Sequence, residues 1–202
     1  MPARRVVLAS GNAGKLREFT DLLAGTGLAP VRQSELGIDP PPETGESFLE
    51  NALIKARNAA RLAGLPAIAD DSGIEVDALG GAPGVYSARY AGEGASDVAN
   101  LEKLLTALRN IPDANRAARY RCVVVFVERH DDPDPLIGEG TWEGRILDER
   151  RGDGGFGYDP SFVPEGESRT VAEMSPEEKH RHSHRGQAFR AFVAALAQRG
   201  KA

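Results

Sequence analysis

One cysteine, Cys122, stands among 202 residues, which excludes an internal disulfide and any zinc site built from several cysteines. Aromatic residues make up 6% of the chain, too few for the groove of stacking faces that a single-stranded nucleic-acid binder carries. An excess of positive charge is missing too. The net charge of −5 gives no general attraction to nucleic acid or to an anionic membrane, so a polyanion would have to be held locally, by a cationic cluster or a metal. No apolar run is long enough to span a bilayer and no signal-like segment opens the chain, which makes the cytoplasm the expected location. What remains is ordinary globular material, 41% hydrophobic and 27% charged, enough for a single domain over residues 1–202, built as two lobes.

Two common nucleotide-binding motifs are also absent. The P-loop needs G-x-x-x-x-G-K-[ST], but Ala9 stands at its first glycine and Leu16 at its hydroxyl. The dinucleotide pattern G-x-G-x-x-G fails because Asn12 follows Gly11. The opening segment is nonetheless suited to phosphate. Val6 to Ala9 is an apolar run that stops at Ser10-Gly11-Asn12, and Lys15 then opens a periodic stretch with Leu16, Phe19, Leu22 and Leu23. That order predicts strand, tight turn and helix N-terminus. The first turn of a helix offers unpaired N–H groups and a partial positive charge, and Lys15 adds a full one. A plain glycine-rich connection with an exposed lysine would read the same way.

Elements alternate along the rest of the chain without a repeat or linker. Ser47-Phe48-Leu49-Glu50 has capping-box spacing and opens an Ala-rich helix to about Ala63. A short strand, Ala67-Ile68-Ala69, is expected to end at Asp70-Asp71-Ser72-Gly73. Leu101, Leu104, Leu105 and Leu108 mark another helix. Arg119 to Arg129 is the strongest strand signal, and Leu136 to Leu147 reads as its antiparallel neighbour across an Asp-Pro turn. Ser175-Pro176-Glu177-Glu178 caps a further helix, and a final amphipathic one follows Ser183. The interleaving predicts an α/β fold with flanking helices, and the long hairpin in the middle makes its central sheet mixed rather than purely parallel.

Three more clusters carry chemistry. In Asp70-Asp71 adjacent side chains point to opposite sides of a strand, so one carboxylate can face a site while the other holds the backbone. A carboxylate near a polyphosphate can ligate magnesium or orient a water; a simple Asp-Ser-Gly turn is the alternative. Phe156-Gly157-Tyr158-Asp159 puts two aromatics and a carboxylate in a glycine-flanked loop, where one ring can stack on a flat base and the other is expected in the core. Lys179 to Arg185 is the densest cationic stretch, and His184-Arg185 between Ser183 and Gly186 falls at a helix junction.

These pieces occur together in one family. Ser10 to Lys15, Glu43-Thr44-Gly45 with Phe48 to Lys55, Ala69 to Gly73, Gly80 to Tyr90, Gly155 to Pro160, Ala172-Glu173-Met174 and Ser183 to Gly186 match it in order from end to end. The chain resembles the inosine triphosphate pyrophosphatase family, the bacterial XTP/dITP diphosphatases. The resemblance implies a magnesium-dependent, homodimeric enzyme, with its nucleotide in a cleft between two lobes. It would hydrolyse dITP, ITP or XTP to the monophosphate and pyrophosphate.

By matching positions, Ser10, Gly11, Asn12, Ala13, Gly14 and Lys15 would hold the triphosphate. Asp71 would be the catalytic proton acceptor and a metal ligand, with Ser72 beside it. Phe156, Gly157, Tyr158, Asp159, Lys179, His184 and Arg185 would hold the nucleoside. Pro42 stands where many members carry an acidic residue, which leaves Glu43 as the second metal candidate and Glu46 and Glu50 in reserve. Inosine and xanthine present an acceptor oxygen at C6 where adenine has an amino group, so Lys179 and Arg185 at that edge would favour the former. A nucleotide sensor without turnover, a hydrolase of other nucleoside triphosphates and a single-stranded nucleic-acid binder are the competing readings.

Overall fold

The computed structural model describes residues 3–10, 19–20 and 23–199. Six strands lie in one sheet in the order β2-β1-β3-β4-β5-β6. They are β1 (Arg4–Leu8), β2 (Leu28–Arg32), β3 (Ala67–Val76), β4 (Ala117–Val127), β5 (Leu136–Ile146) and β6 (Phe162–Pro164). β1 runs parallel to β2, with Val7 opposite Val31, and parallel to β3, with Leu8 opposite Ile68. β5 and β6 are antiparallel, with Arg145 opposite Val163. The sheet is therefore mixed, as the sequence leads one to expect. The α-helices that lie wholly among the described residues are α1 (Phe48–Ala63), α2 (Asp97–Leu108), α3 (Pro176–His182) and α4 (His184–Arg199).

Local chemistry explains the helix ends. The Ser47 side chain accepts the Glu50 N–H while the Glu50 carboxylate accepts the Ser47 N–H, a reciprocal cap at the start of α1. At the other end Gly64 takes a left-handed conformation (φ 63°), and its N–H reaches the Ala60 carbonyl. Ser175 and Glu178 form the same box for α3, with Pro176 at the first helical position.

β3 departs from the sequence expectation. It does not end at Ala69 but continues through Asp70, Asp71, Ser72 and Gly73 to Val76. Asp-Ser-Gly chemistry favours a turn in isolation. Here Ile74 and Val76 continue the buried pattern, and the Ile74 N–H is also bonded to the Ser87 hydroxyl at 2.9 Å. The apolar residues beyond the aspartates outweigh the local turn preference.

The chain forms two compact units, each discontinuous in sequence. The first comprises residues 1–71, 123–139 and 188–202. Its core includes Val6, Val7, Leu8, Phe19, Ala52, Ala56, Ile68, Phe126, Phe189 and Phe192, all buried. Phe189 packs against both Phe19 and Phe192 at centroid distances of 4.6 and 5.7 Å. At Gly138 a Cβ would collide with the main chain of Ala188 and Phe192, so β5 meets α4 there without an intervening side chain. The second unit, residues 72–122 and 140–187, is built on Ile74, Val76, Leu101, Leu104, Leu108, Tyr120, Trp142, Tyr158 and Phe162. No helix among the described residues is long and apolar enough to cross a membrane.

Candidate active site

In the first unit three charged side chains converge. Phe48, Asn51, Ala52, Lys55, Ala56, Ala59 and Ala60 form the buried stripe of α1, at the three- and four-residue spacing of one helix face. Lys55 is the one cation in that stripe, 9% exposed. Its Nζ donates to Glu43 Oε1 at 2.8 Å and to Asp71 Oδ1 at 2.9 Å. Glu43 reaches it from the Pro-rich loop before α1, and Asp71 from the middle of β3. Burial opposes the charge on the Lys55 ammonium. The charges of Asp71, Asp70 and Glu43 and the hydrogen bond to Asp71 outweigh it, and its pKa lies above the ordinary lysine value. Two carboxylates from separate elements are thus held around one cation by the fold itself.

That donor set can serve a metal. Magnesium takes hard oxygens, commonly from one or two carboxylates, and completes its shell with substrate phosphate and water. Glu43 and Asp71 supply two such carboxylates at one point. No group of three or more His, Cys, Asp or Glu placed to hold a metal occurs among the described residues. The reserve candidate Glu50 is otherwise engaged, because its carboxylate accepts the N–H groups of Glu46 and Ser47 at 2.7 and 3.2 Å. Glu46 itself is exposed. Ser72 follows Asp71 within β3 and is half-buried, and Ser10 follows β1 and is half-buried. Gly11, Asn12, Ala13, Gly14 and Lys15 lie outside the described residues.

In the second unit Asp159 organises a different group. It is 3% exposed and accepts three hydrogen bonds: from Tyr120 Oη at 3.1 Å, from the Phe156 N–H at 2.9 Å and from Lys179 Nζ at 2.5 Å. Burial, then the charge of Asp159, lifts the Tyr120 phenol well above its ordinary pKa, so it remains a neutral donor. The Tyr120 ring also stacks on His184, with centroids 4.7 Å apart and planes 10° from parallel. Phe156 stays 49% exposed, with Lys179 Nζ 4.2 Å and the Arg185 guanidinium carbon 5.8 Å from its ring centre. Tyr158 takes the core position expected of one of the two aromatics. Its ring is buried and its hydroxyl donates to the Ser87 carbonyl at 2.8 Å. The loop is closed from its far side by Asp97, which accepts the Gly157 N–H at 2.9 Å.

Lys179 is ion-paired with Asp159, and the Asp159 carboxylate is committed to holding its own loop. The reading from sequence passed over Lys55 and Tyr120 as site residues. A lysine among the alanines of a helix's apolar stripe was a visible signal for the first. Tyr120 reads from sequence as one more inward position of a strand, beside Ala118 and Cys122.

The chain is similar to known proteins over nearly its full length. The model of the Ham1 family matches residues 6–195. A dITP/XTP pyrophosphatase of Thioalkalivibrio sulfidiphilus is 59% identical over 193 residues, covering 95% of this chain and 98% of its own. One from Salmonella paratyphi A is 55% identical, covering 96% and 98%. Among solved structures, a HAM1 protein from Coxiella burnetii superposes with a TM-score of 0.92 at 47% identity, over 96% of this chain and 99% of that one.

Proposed function

The chain belongs to the Ham1 family, and from that premise we infer that it is a dITP/XTP pyrophosphatase, a hydrolase of non-canonical purine nucleoside triphosphates. Full-length identity with proteins of that name carries the reading. It acts on dITP, ITP or XTP in the cytoplasm and keeps deaminated purines out of the nucleotide pool. The working form is a homodimer.

The Lys55 clasp supports the roles assigned in the first unit. Water's oxygen bonds to the α-phosphorus, the bond to the α–β bridging oxygen breaks, and pyrophosphate leaves. Asp71 accepts the water's proton. Lys55, fixed between Glu43 and Asp71, keeps a positive charge beside the carboxylates that a polyanionic substrate must approach. Glu43 and Asp71 are the residues that would hold magnesium. When bound, magnesium supplies the charge that polarises phosphoryl oxygens and offsets the leaving pyrophosphate. Ser10 to Lys15 take the rest of the triphosphate, with Ser72 beside Asp71.

The second unit supplies the nucleoside contacts. Phe156 presents an exposed ring for stacking, Lys179 and Arg185 lie against it as donors suited to the C6 oxygen of a deaminated purine, and His184, stacked on Tyr120, adds a further donor. Gly157, Tyr158 and Asp159 contribute through the main chain and shape of the loop, since the Tyr158 ring and the Asp159 carboxylate are already engaged.

A product assay with magnesium tests both bond and base. Pyrophosphate and monophosphate from dITP and XTP, with dATP and dGTP used far more slowly, is the expected result. Release of orthophosphate, or equal use of all four, overturns the reading. Asp71→Asn should keep nucleotide affinity and lose most turnover; near-normal turnover removes Asp71 from the mechanism.

A further inference from the structure

The loop that carries Glu43 is held by a residue the chemistry above does not use. Asn51 lies in the first turns of α1 and is fully buried, 0% exposed, and its Oδ1 accepts the Gly45 N–H at 2.8 Å. That bond orients the amide, oxygen toward Gly45, because only the oxygen can accept. The approach is close. A Cβ at Gly45 would lie 2.7 Å from Glu50 Cβ, 2.8 Å from Asn51 Oδ1 and 3.0 Å from the Asn51 main-chain nitrogen. The loop can rest against the helix start only because residue 45 has no side chain. Glu50 completes the hold by accepting the N–H groups of Glu46 and Ser47.

Three successive N–H groups just beyond Glu43 are thereby fixed by two side chains of one helix. One turn further along the same helix face, four residues from Asn51, Lys55 reaches Glu43 itself. The stripe in which Asn51 sits is otherwise alanine and phenylalanine apart from Lys55. A buried amide there has a specific task, since burying polar atoms is costly and, while its Oδ1 is bonded to Gly45, its Nδ2 has no hydrogen-bond partner among the described residues.

We propose that Asn51 is a positioning residue: through Gly45 it fixes the turn that sets Glu43 against Asp71, and so governs how tightly that carboxylate pair holds a divalent cation. This rests on the assignment of Glu43 and Asp71 as the metal pair.

The test is manganese binding to the full-length, nucleotide-free protein, read from the electron paramagnetic resonance signal of the free ion, for wild type, Asn51→Ala, Gly45→Ala and Glu43→Gln. Asn51→Ala removes the acceptor. Gly45→Ala leaves Asn51 in place and pushes the loop off it. Both should bind manganese about tenfold more weakly, the scale on which residues supporting metal ligands act. The magnesium concentration for half-maximal dITP turnover should rise in proportion, while kcat at saturating magnesium stays near wild type. A purely structural Asn51 would lower the melting temperature and leave both cation readouts unmoved, and that result overturns the proposal. If Asn51→Ala does not fold, Gly45→Ala decides alone. Glu43→Gln separates the two layers. Weaker manganese binding there, with none in the other variants, overturns the positioning role only. Unchanged binding in Glu43→Gln removes Glu43 from the metal pair, and the proposal falls with it.

Discussion

Lys179 and Asp159 form an ion pair of 2.5 Å whose lysine end also lies over the exposed face of Phe156. One residue therefore links the carboxylate that holds the loop to the ring that the loop displays. Asp159→Asn keeps an oxygen for the Phe156 N–H or the Tyr120 hydroxyl but loses the ion pair. It should cost about 2 kcal/mol of stability, as for a hydrogen bond to a charged group. KM for dITP should rise while kcat changes little, because the bond being cleaved is handled by other residues. Thermal melts and steady-state kinetics on the same preparation check both halves.

Removing the cation at the other site should act differently. Lys55→Met leaves Glu43, Asp70 and Asp71 without their shared counter-charge, a loss of several kcal/mol typical of breaking a buried pair. Turnover should fall by about 100-fold or more, the scale for deleting a preorganised electrostatic group. The double variant Lys55→Met/Asp71→Asn should melt higher than Lys55→Met alone, because it removes one of the stranded charges. A double-mutant cycle in thermal stability measures that coupling. Additive losses would mean that the 2.9 Å contact contributes nothing.

Gly155 has φ +73°, and a Cβ on it would collide with the Asp159 carboxylate. Gly155→Ala should therefore displace Asp159 and the Phe156 backbone together, at about 1–3 kcal/mol for a side chain forced into this conformation. The activity signature should be poorer discrimination of dITP from dGTP and dATP, read as a ratio of kcat/KM values.

Much of this was legible in the sequence. Capping-box spacing located α1 and α3 because reciprocal side-chain bonds leave a fixed four-residue signature. The antiparallel β5–β6 pairing and the parallel β1–β2 and β1–β3 pairs agree with the mixed sheet expected when a long hairpin interrupts alternating elements. Asp70 to Gly73 misled because local turn chemistry was weighed without the burial of Ile74 and Val76 beyond it. The bonds of Asp159 were not legible for another reason. Tyr120 and Lys179 lie 39 and 20 residues away, and no periodicity links a strand tyrosine to a loop carboxylate.

A pH dependence follows from Asp132, which is 6% exposed and accepts the N–H groups of Glu128 and Asp134 at 2.8 and 3.0 Å. Burial opposes its charge, yet these donors and the charges of Arg199 and Arg129 prevail, so the folded carboxyl titrates below its ordinary 3.8. A depressed folded pKa stabilises the protein above the unfolded pKa, and this contribution disappears as pH falls through the folded value. Asp132→Asn should be less stable by about 1 kcal/mol near neutrality, the worth of one hydrogen bond. That gap should narrow below about pH 4, the ordinary carboxylate range. Urea titrations at pH 7 and pH 3 measure it.

Because β3 runs unbroken through the aspartate pair, the position of Asp71 is set by ladder register and not by a loop's local conformation. Deleting one residue between Ala67 and Asp70 would turn every later side chain to the opposite face and put Asp71 where Asp70 had pointed. Descendants of this gene can therefore change exposed side chains within β3 far more freely than they can change its length. Insertions and deletions there should be purged, whatever nucleotide each lineage comes to prefer.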